Sequence, residues 1–214
     1  MIKVIVFDFD GVIVDSNALK ENAWSSVFID RDDRAKKIIE NIASSRRGDR
    51  FYIIERALIE LGEPKEKIPS LVDYYANRYN DLVFENIINH GIFQGVPESL
   101  NNFSKRYSLY INSATPEQPL KEIVERLELS NYFKGIHGSP ASKLDNLKRV
   151  KELEGIDKGS ILMVGDSDVD FFAAKSAGVK FIGVRNSFNK WSNCEFPTIE
   201  SINEIKDLST LLGP

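Results

Sequence analysis

The amino-acid sequence predicts an α/β fold: a parallel β-sheet packed with helices, and an additional helical domain inserted into it. Short apolar runs without a polar face alternate with helical patterns, which is typical of parallel strands buried on both faces. About 95 residues without a convincing strand follow the first run, although a βαβ crossover needs only about a dozen. We therefore expect one α/β core whose first connection carries a further domain.

The predicted elements alternate along the chain. The strands cover residues 2–7, 107–111, 161–164 and 179–184, with a weaker candidate near Ile136. The helices predicted between them cover residues 120–127, 142–153 and 168–177. Gly178 marks the end of the last of these helices, because glycine readily takes the left-handed conformation found at helix ends. Strands that alternate with helices in this way indicate a parallel sheet.

The long first connection is itself strongly helical. Apolar residues recur at the i, i+3, i+4, i+7 spacing in residues 35–42, 54–61 and 71–83. Each stretch would form an apolar stripe along one side of a helix, and such stripes must pack on one another to be buried. We therefore predict an all-helical domain of at least three helices at residues 16–91, and an α/β core formed by residues 1–15 and 92–214.

The charge and composition of the chain limit the kinds of binding partner that we expect. The chain has 214 residues, a formal net charge of −4 and a pI near 5.4. This balance argues against a nucleic-acid-binding protein, whose affinity depends on Lys and Arg at phosphates. Cys194 is the single cysteine, so no intrachain disulfide is expected, and no signal peptide or membrane helix is predicted. We expect a cytoplasmic monomer or homodimer without nucleic-acid or membrane partners.

Polar and charged residues are concentrated just after the predicted strands. In an open parallel sheet, ligands bind at the carboxyl ends of the strands, so these residues should meet at one edge. They are Asp8 and Asp10 after the first strand, Asn112, Ser113 and Thr115 after the second, Lys143 after the third, and Asp166, Ser167 and Asp170 after the fourth. The sequence therefore predicts one site that combines four carboxylates, a lysine and several hydroxyl groups.

Four carboxylates in one site need a positive charge nearby. Two carboxylates about 4 Å apart repel by about 4 kcal/mol at an effective dielectric constant of about 20. Mg²⁺ is bound by carboxylates together with water and phosphate oxygens. His90 and His137 stand alone in the sequence and form no cluster of the kind that binds zinc. The predicted cofactor is therefore Mg²⁺.

Three of these segments also have the pattern of helix caps. Residues 115–118, 142–145 and 167–170 each begin with a hydroxyl side chain and have a carboxylate or amide side chain three residues later. Asp8 and Asp10 have no such explanation, because the residues from Gly11 onwards do not resemble a helix start. Capping and function are compatible, since the N–H groups at a helix N-terminus also bind phosphate.

The order of these motifs resembles that of the haloacid dehalogenase-like (HAD) superfamily. The segment FDFDGVIVD, a hydrophobic strand ending in Ser113, then Lys143 and the segment GDSDVD follow one another as in that superfamily. The helical insertion after the first motif is similar to that of the subgroup with phosphoglycolate phosphatases and β-phosphoglucomutases. The resemblance implies a Rossmann-like, doubly wound parallel sheet with an inserted all-helical cap domain.

The resemblance also implies roles for the candidate residues. Asp8 would be the nucleophile that forms an aspartyl-phosphate, and Asp10 would be the general acid and base. An aspartate at position 10 is typical of phosphatases and phosphomutases, not of dehalogenases, P-type ATPases or phosphonatases. The implied Mg²⁺ ligands are Asp8, Asp10 through its backbone carbonyl, Asp166 and Asp170. The implied phosphate-binding residues are Ser113, Ala114 and Lys143, and Lys143 would also moderate the repulsion around Asp8.

The inserted domain would act as a lid that excludes water and contacts the leaving group. Arg46, Arg47 and Arg50 lie in the segment SSRRGDRF between two predicted helices. Related caps often place an arginine in such a loop, and Arg47 is the candidate for substrate binding. A solvated helix start accounts for these arginines equally well.

The predicted function is hydrolysis of a small phosphorylated metabolite by a Mg²⁺-dependent phosphatase. The first alternative is a phosphosugar mutase of the same superfamily, which would use Asp10 similarly but return the phosphoryl group to a substrate. The second is a phospho-receiver or binding protein without turnover; receivers also combine an aspartate acceptor with Mg²⁺, but they are smaller and have no inserted domain. Phosphoglycolate, a sugar phosphate and a nucleotide all fit as substrates.

Overall fold

A parallel sheet of six strands is present within the residues that the computed structural model describes, which are 1–45, 47–186, 189, 191 and 194–212. The strands are β1 (Val4–Phe7), β2 (Ser108–Pro116), β3 (Gly135–Ser139), β4 (Ile161–Gly165), β5 (Lys180–Val184) and β6 (Thr198–Ile199). They pair in the order β3-β2-β1-β4-β5-β6, and every pairing is parallel. This is the order of a doubly wound, Rossmann-like sheet, so the predicted fold class is confirmed.

Helices make up most of the remaining described chain. They are α1 (Ser16–Val27), α2 (Asp33–Ser44), α3 (Arg50–Glu60), α4 (Ile68–His90), α5 (Val96–Ser104), α6 (Glu117–Arg126), α7 (Lys143–Glu154), α8 (Asp168–Ala177) and α9 (Leu208–Leu212). The chain separates into two compact units, one of Met1–Asp15 with Ile92–Pro214 and one of Ser16–Gly91. None of the described helices is long and apolar enough to span a bilayer. That the second unit is a cap domain, and that the protein is cytoplasmic, stay predictions.

Strands β1 and β4 lie in the middle of the sheet and consist of apolar residues and one glycine. All residues of both strands are buried, because a doubly wound sheet carries helices on both faces. Strand β1 begins at Val4, two residues later than predicted. Strand β6 was not predicted; its two residues pair with Gly183 and Val184, and a strand of that length has no detectable periodicity.

Two of the three candidate helix caps are confirmed. The side chain of Ser142 accepts a backbone hydrogen bond at the start of α7, and Ser167 and Asp170 form a reciprocal capping box at the start of α8. The predicted cap at Thr115 is wrong. Strand β2 continues to Pro116, which is the N-cap of α6 and makes no side-chain cap bond. Thr115 therefore still lies in the strand, and its hydroxyl group contacts the site described below.

The second unit has a hydrophobic core of its own. The predicted apolar stripes of α2 and α3 are confirmed, since α2 buries Ile39 and α3 buries Ile54 and Leu58 in this core, whereas Tyr74 of the third predicted stripe is exposed. Helix α1 was not predicted, because its sequence SNALKENAWSSV contains few large apolar residues. Its Trp24 and Val27 are buried in this core, and the ring of Trp24 stacks on that of Tyr79 of α4 with the centroids 4.1 Å apart.

His137 of β3 is a buried side chain of the first unit. It is 5% exposed, and its Nε2 atom has no hydrogen-bond partner in the part of the chain that the structure describes. Its ring stacks on that of Tyr110, with the centroids 5.9 Å apart. Burial lowers the pKa of His137, and the positive charge of Arg149 lowers it further.

We expect His137 to make the free energy of unfolding depend on pH. Because its pKa is lowered in the folded state, the unfolded chain is protonated first, and stability is lost as the pH falls below about 6.5. His137→Phe should reduce this loss, since phenylalanine keeps a ring for stacking and cannot be protonated. Urea unfolding on either side of about pH 6.5 measures the effect, with the exposed His90 changed to Phe as the control. An unchanged pH dependence in His137→Phe would contradict the prediction.

Candidate active site

The candidate site lies at the carboxyl ends of β1 and β4, where the strand order reverses. In doubly wound sheets this switch point forms the ligand-binding crevice. Asp8 follows β1 directly, and Asp166 follows β4 directly. The backbone N–H of Asp8 donates to the carbonyl oxygen of Val164, with 2.8 Å between nitrogen and oxygen. The parallel pairing of β1 with β4 therefore brings the two aspartates together.

Asp8, Asp166 and Asp170 form one buried acidic cluster. One carboxylate oxygen of each lies within 4.8 Å of those of the other two. Asp170 reaches the cluster from the first turn of α8, and this close approach requires Gly165, since a Cβ atom there would lie 2.4 Å from that of Asp170. Three of the four aspartates predicted as metal ligands thus meet in the structure, and their role as ligands stays a proposal.

Lys143, the first residue of α7, is buried between two of these carboxylates. Its Nζ atom lies 2.7 Å from Oδ2 of Asp8 and 2.5 Å from Oδ1 of Asp170. Burial acts to lower the pKa of Lys143, but the charges of Asp8 and Asp170 outweigh it, and the pKa is raised. The lysine is therefore protonated at neutral pH and supplies a positive charge to the cluster.

Two buried asparagines hold the start of α7 against β2 and so place Lys143. The amide of Asn112 donates to the backbone carbonyl of Lys143 at 2.9 Å, and the amide of Asn146 donates to Oδ1 of Asn112 at 3.0 Å. Both asparagines are at most 1% exposed, so an unpaired amide here would be costly and one arrangement is strongly favoured. Asn112 was a candidate site residue, whereas Asn146 was missed although it lies three residues after Lys143.

Asp8 is held at both carboxylate oxygens. Its Oδ1 accepts a hydrogen bond from the backbone N–H of Phe9 at 2.6 Å, and its Oδ2 accepts one from Lys143. Burial and then the negative charge of Asp170 raise the pKa of Asp8, although Lys143 counteracts them. Burial is the larger cause, and the three carboxylates of the cluster also outnumber the lysine that contacts them.

Asp10 lies beside the hydroxyl groups at the end of β2. Its Oδ2 accepts a hydrogen bond from Oγ1 of Thr115 at 3.1 Å and one from Oγ of Ser113 at 3.4 Å. The turn that follows contains Gly11 with φ of 75°, a conformation that favours glycine. Ser113 is buried, and Ala114 is exposed. The structure thus brings Asp10 to Ser113, one of the two predicted phosphate-binding residues of β2.

The acidic cluster has the donor set of a hard divalent cation. Its three carboxylates are oxygen ligands of the kind that Mg²⁺ and Ca²⁺ prefer. Among the described residues, neither His nor Cys belongs to it, in contrast to most zinc sites. The cluster has three carboxylates, and Lys143 supplies one positive charge to them. These residues therefore fit a bound cation.

Asn186 and Asn189, which the sequence reasoning missed, contact Asp166. The amide of Asn186 donates to Oδ2 of Asp166 at 2.7 Å, and the amide of Asn189 donates to the backbone carbonyl of Asp166 at 2.9 Å. Asn186 lies two residues after the end of β5 at Val184. The rule that residues just past parallel strands meet at one edge therefore pointed to it.

Comparison with known proteins decides the family. The model of the family described as "Haloacid dehalogenase-like hydrolase" matches residues 5–184. The chain belongs to this family. The family predicted from the motifs is thereby confirmed, as is the prediction of an enzyme of the hydrolase class. Hydrolases of this family generally use a divalent metal ion, and the buried acidic cluster is consistent with one.

Relatives of this HAD-like hydrolase are similar to most of its length. Phosphoglycolate phosphatase of Pseudomonas fluorescens (strain Pf0-1) is 24% identical over 201 residues, which are 87% of this chain and 71% of that protein. The 5'-nucleotidase of Pseudomonas aeruginosa is 25% identical over 195 residues, which are 86% of this chain and 83% of that protein. The crystal structure of the HAD-hydrolase YfnB from Bacillus subtilis bound to magnesium has the same fold, with a TM-score of 0.73, 18% identity and coverage of 100% of this chain and 99% of that one.

The arginines predicted for the lid of this HAD-like hydrolase belong to the second unit. Arg47 is exposed, and its backbone N–H donates to Oγ of Ser45 at 3.4 Å. Arg50 begins α3, and its guanidinium lies 4.6 Å from the centre of the Phe51 ring. Arg46 lies outside the described residues. The contact of Arg47 with substrate stays a prediction.

Proposed function

We propose that this HAD-like hydrolase is a Mg²⁺-dependent phosphatase that hydrolyses a small phosphate monoester through an aspartyl-phosphate on Asp8. The proposal rests on the contact of Lys143 with Asp8, a member of the acidic cluster. This contact joins a candidate nucleophile, a cation for phosphoryl oxygens and a candidate metal site at one switch point. The relatives named phosphatase and nucleotidase support it, since both names describe hydrolysis of phosphate esters.

In the first half-reaction, a carboxylate oxygen of Asp8 attacks phosphorus, and the bond from phosphorus to the ester oxygen breaks. Lys143 and Ser113 hold the phosphoryl oxygens, so that charge is neutralised where it develops. Asp10 donates a proton to the leaving alcohol oxygen. The hydroxyl group of Thr115 orients the carboxyl group of Asp10 for this transfer.

In the second half-reaction, water attacks the phosphorus of the aspartyl-phosphate. Asp10, now ionised, accepts a proton from this water, and the bond from phosphorus to Asp8 breaks. Inorganic phosphate leaves, and both aspartates return to their initial states. The uncatalysed reaction is so slow that rate enhancements approach about 10²¹-fold, and no single one of these groups could supply such a factor.

Four residues would hold the cation in this mechanism: Asp8, Asp10 through its backbone carbonyl, Asp166 and Asp170. Bound there, Mg²⁺ would neutralise charge on the phosphoryl group during both transfers. Lys143 holds the carboxylates of Asp8 and Asp170 in place through its ion pairs with both. The chain therefore supplies a largely organised site rather than one assembled around the substrate.

Removing divalent cations should abolish the activity. We would measure release of inorganic phosphate from phosphoglycolate, sugar phosphates and nucleoside monophosphates, with Mg²⁺ and after exhaustive treatment with EDTA. At least one substrate should be hydrolysed, the rate should fall by more than about 100-fold on chelation, and excess Mg²⁺ should restore it. Full activity after chelation would contradict the metal proposal, and no phosphate release from any substrate would contradict the phosphatase.

The same panel distinguishes the two alternatives. A mutase would convert a hexose 1-phosphate into its isomer without releasing phosphate. A phospho-receiver would retain a long-lived phosphoryl group on Asp8 and turn over none of the esters. The two relatives named above have different substrates at nearly equal identity to this chain, so the panel must span several classes of metabolite.

Asp10→Asn should lower turnover by about 10²- to 10⁴-fold, the usual contribution of a general acid and base. The carbonyl oxygen of asparagine still accepts hydrogen bonds from Ser113 and Thr115, so the local structure should persist. An aryl ester such as p-nitrophenyl phosphate needs little protonation of its leaving group. With that substrate, the variant should release a burst of nitrophenol equal to the enzyme and then turn over slowly. If the burst of nitrophenol and the later turnover were slowed by the same factor, the role of Asp10 as general acid and base would be contradicted.

We further propose that the unit Ser16–Gly91 acts as a cap that contacts the leaving group, with Arg47 as its substrate-binding residue. The separation of the chain into two compact units supports this proposal. A small metabolite is a suitable substrate for a site covered in this way, because a lid excludes both water and large ligands.

A further inference from the structure

The loop after β5 contributes Asn186 and Asn189 to the surroundings of Asp166. We propose that both asparagines are positioning residues, which hold the carboxylate of Asp166 in the orientation that binds the divalent cation. This inference rests on the proposed function, because it concerns a ligand of the cation proposed there. Neither residue belongs to the motifs that the sequence analysis identified.

The orientation of the Asn186 amide follows from the two side-chain hydrogen bonds described next. Its Oδ1 accepts the backbone N–H of Asn189 at 3.0 Å, so its Nδ2 is the atom that faces Asp166. An amide nitrogen only donates, and a carboxylate only accepts. The 2.7 Å contact with Oδ2 of Asp166 is therefore a hydrogen bond to a charged acceptor, the stronger kind.

Asn189 is fixed in the same way. Its Oδ1 accepts the backbone N–H groups of Asn186 at 3.3 Å and Trp191 at 3.4 Å. Its Nδ2 donates to the backbone carbonyl of Val184 at 2.7 Å and to that of Asp166 at 2.9 Å. The side chain thus links the end of β5 to the residue that follows β4, and it holds Asn186 at its place.

Asp166 needs this support because it stands beside two like charges. Repulsion from Asp8 and Asp170 favours an orientation of its carboxylate away from the cluster. Lys143 bonds to both of those carboxylates, whereas Asn186 fixes Asp166 without adding charge. A cation then meets three oxygen ligands that are already close together, and groups that orient metal ligands in this way raise affinity.

Binding of Mn²⁺ alone to the substrate-free full chain tests the proposal. The electron paramagnetic resonance signal of unbound Mn²⁺ gives the affinity directly. Asn186→Leu keeps the side-chain size but removes the donor, and we expect it to weaken Mn²⁺ binding by about 10- to 100-fold. In activity assays, the Mg²⁺ concentration for half-maximal rate should rise by a similar factor, while kcat at saturating Mg²⁺ stays near that of the unmodified protein.

Trp191→Phe is the matched control in the same loop. The indole N–H of Trp191 donates to the exposed Asp168 at 3.1 Å, outside the acidic cluster, and its ring packs on Phe181 and Phe196. This variant should bind Mn²⁺ like the unmodified protein. If Asn186→Leu shows no thermal unfolding transition in EDTA and is therefore not folded, Asn186→Ala replaces it as the test variant.

The outcomes separate this inference from the proposed function. If the unmodified chain binds Mn²⁺ and the folded Asn186 variants bind it equally well, the inference is wrong and the proposed function stands. A lower unfolding temperature with unchanged Mn²⁺ affinity also overturns the inference, since it shows a purely structural role. If the unmodified chain binds no Mn²⁺, both proposals fail.

Discussion

Asp8→Asn should abolish turnover while leaving the fold intact. The change removes the nucleophilic carboxylate, and loss of a nucleophile in another covalent mechanism costs about 10⁶-fold in kcat. The volume of the side chain hardly changes, and its carbonyl oxygen still accepts the backbone N–H of Phe9. The change also removes one negative charge from beside Asp170, and Lys143 keeps its ion pair with Asp170. Phosphate release and circular dichroism measure the two expectations.

Asp168→Asn is the matched control for this experiment. Asp168 lies in the same acidic segment as Asp166 and Asp170, but it is exposed and contacts the indole of Trp191. We expect this variant to keep its activity. Residual turnover of Asp8→Asn above about 1% of the unmodified rate would refute covalent catalysis through Asp8.

Lys143→Met should cause the largest loss of stability of any single change at the site. Removing one partner of a buried ion pair typically costs about 3–5 kcal/mol, because the remaining charge is left buried without compensation. Here two carboxylates, those of Asp8 and Asp170, lose their cation. Denaturant unfolding at neutral pH in EDTA measures the loss, and phosphatase activity should disappear as well.

Lys148→Met tests whether burial is the cause. Lys148 lies in the same helix and forms an ion pair with Asp145, with 3.6 Å between nitrogen and oxygen. The side chains of Lys148 and Asp145 are 59% and 62% exposed. An exposed pair of this kind contributes about 0–1 kcal/mol. Equal losses in the two lysine variants would contradict the assigned role of Lys143. Adding Asp8→Asn to Lys143→Met should recover part of the stability, since neighbouring charges are not additive.

The residues proposed to carry the chemistry were predictable because they follow strands. An apolar strand such as VIVF has a readable pattern, and the aspartates after it stand out against that pattern. Lys143 could be placed by its position between two predicted strands, although its two ion pairs join residues far apart in sequence. The central strands, the helical insertion and the candidate acids were therefore accessible from one sequence.

The parts that escaped prediction depend on contacts rather than on patterns. Strand β6 and helix α1 are fixed by pairing and packing, with little signal of their own. Thr115 has the pattern of a cap, but the length of β2 decides that its hydroxyl group contacts Asp10 instead. Asn146 and Asn186 are ordinary polar residues until their hydrogen-bond partners are known.

The pairing of β1 with β4 has a consequence for the order of events during protein synthesis. Asp8 is synthesised well before Asp166, and β2, the other neighbour of β1, is synthesised between them. Domains fold as units while the chain is being extended, so β1 can pair with β2 first but must wait for β4. Until β4 is made, one edge of the apolar strand β1 is unpaired, and the acidic cluster proposed to bind the cation is incomplete.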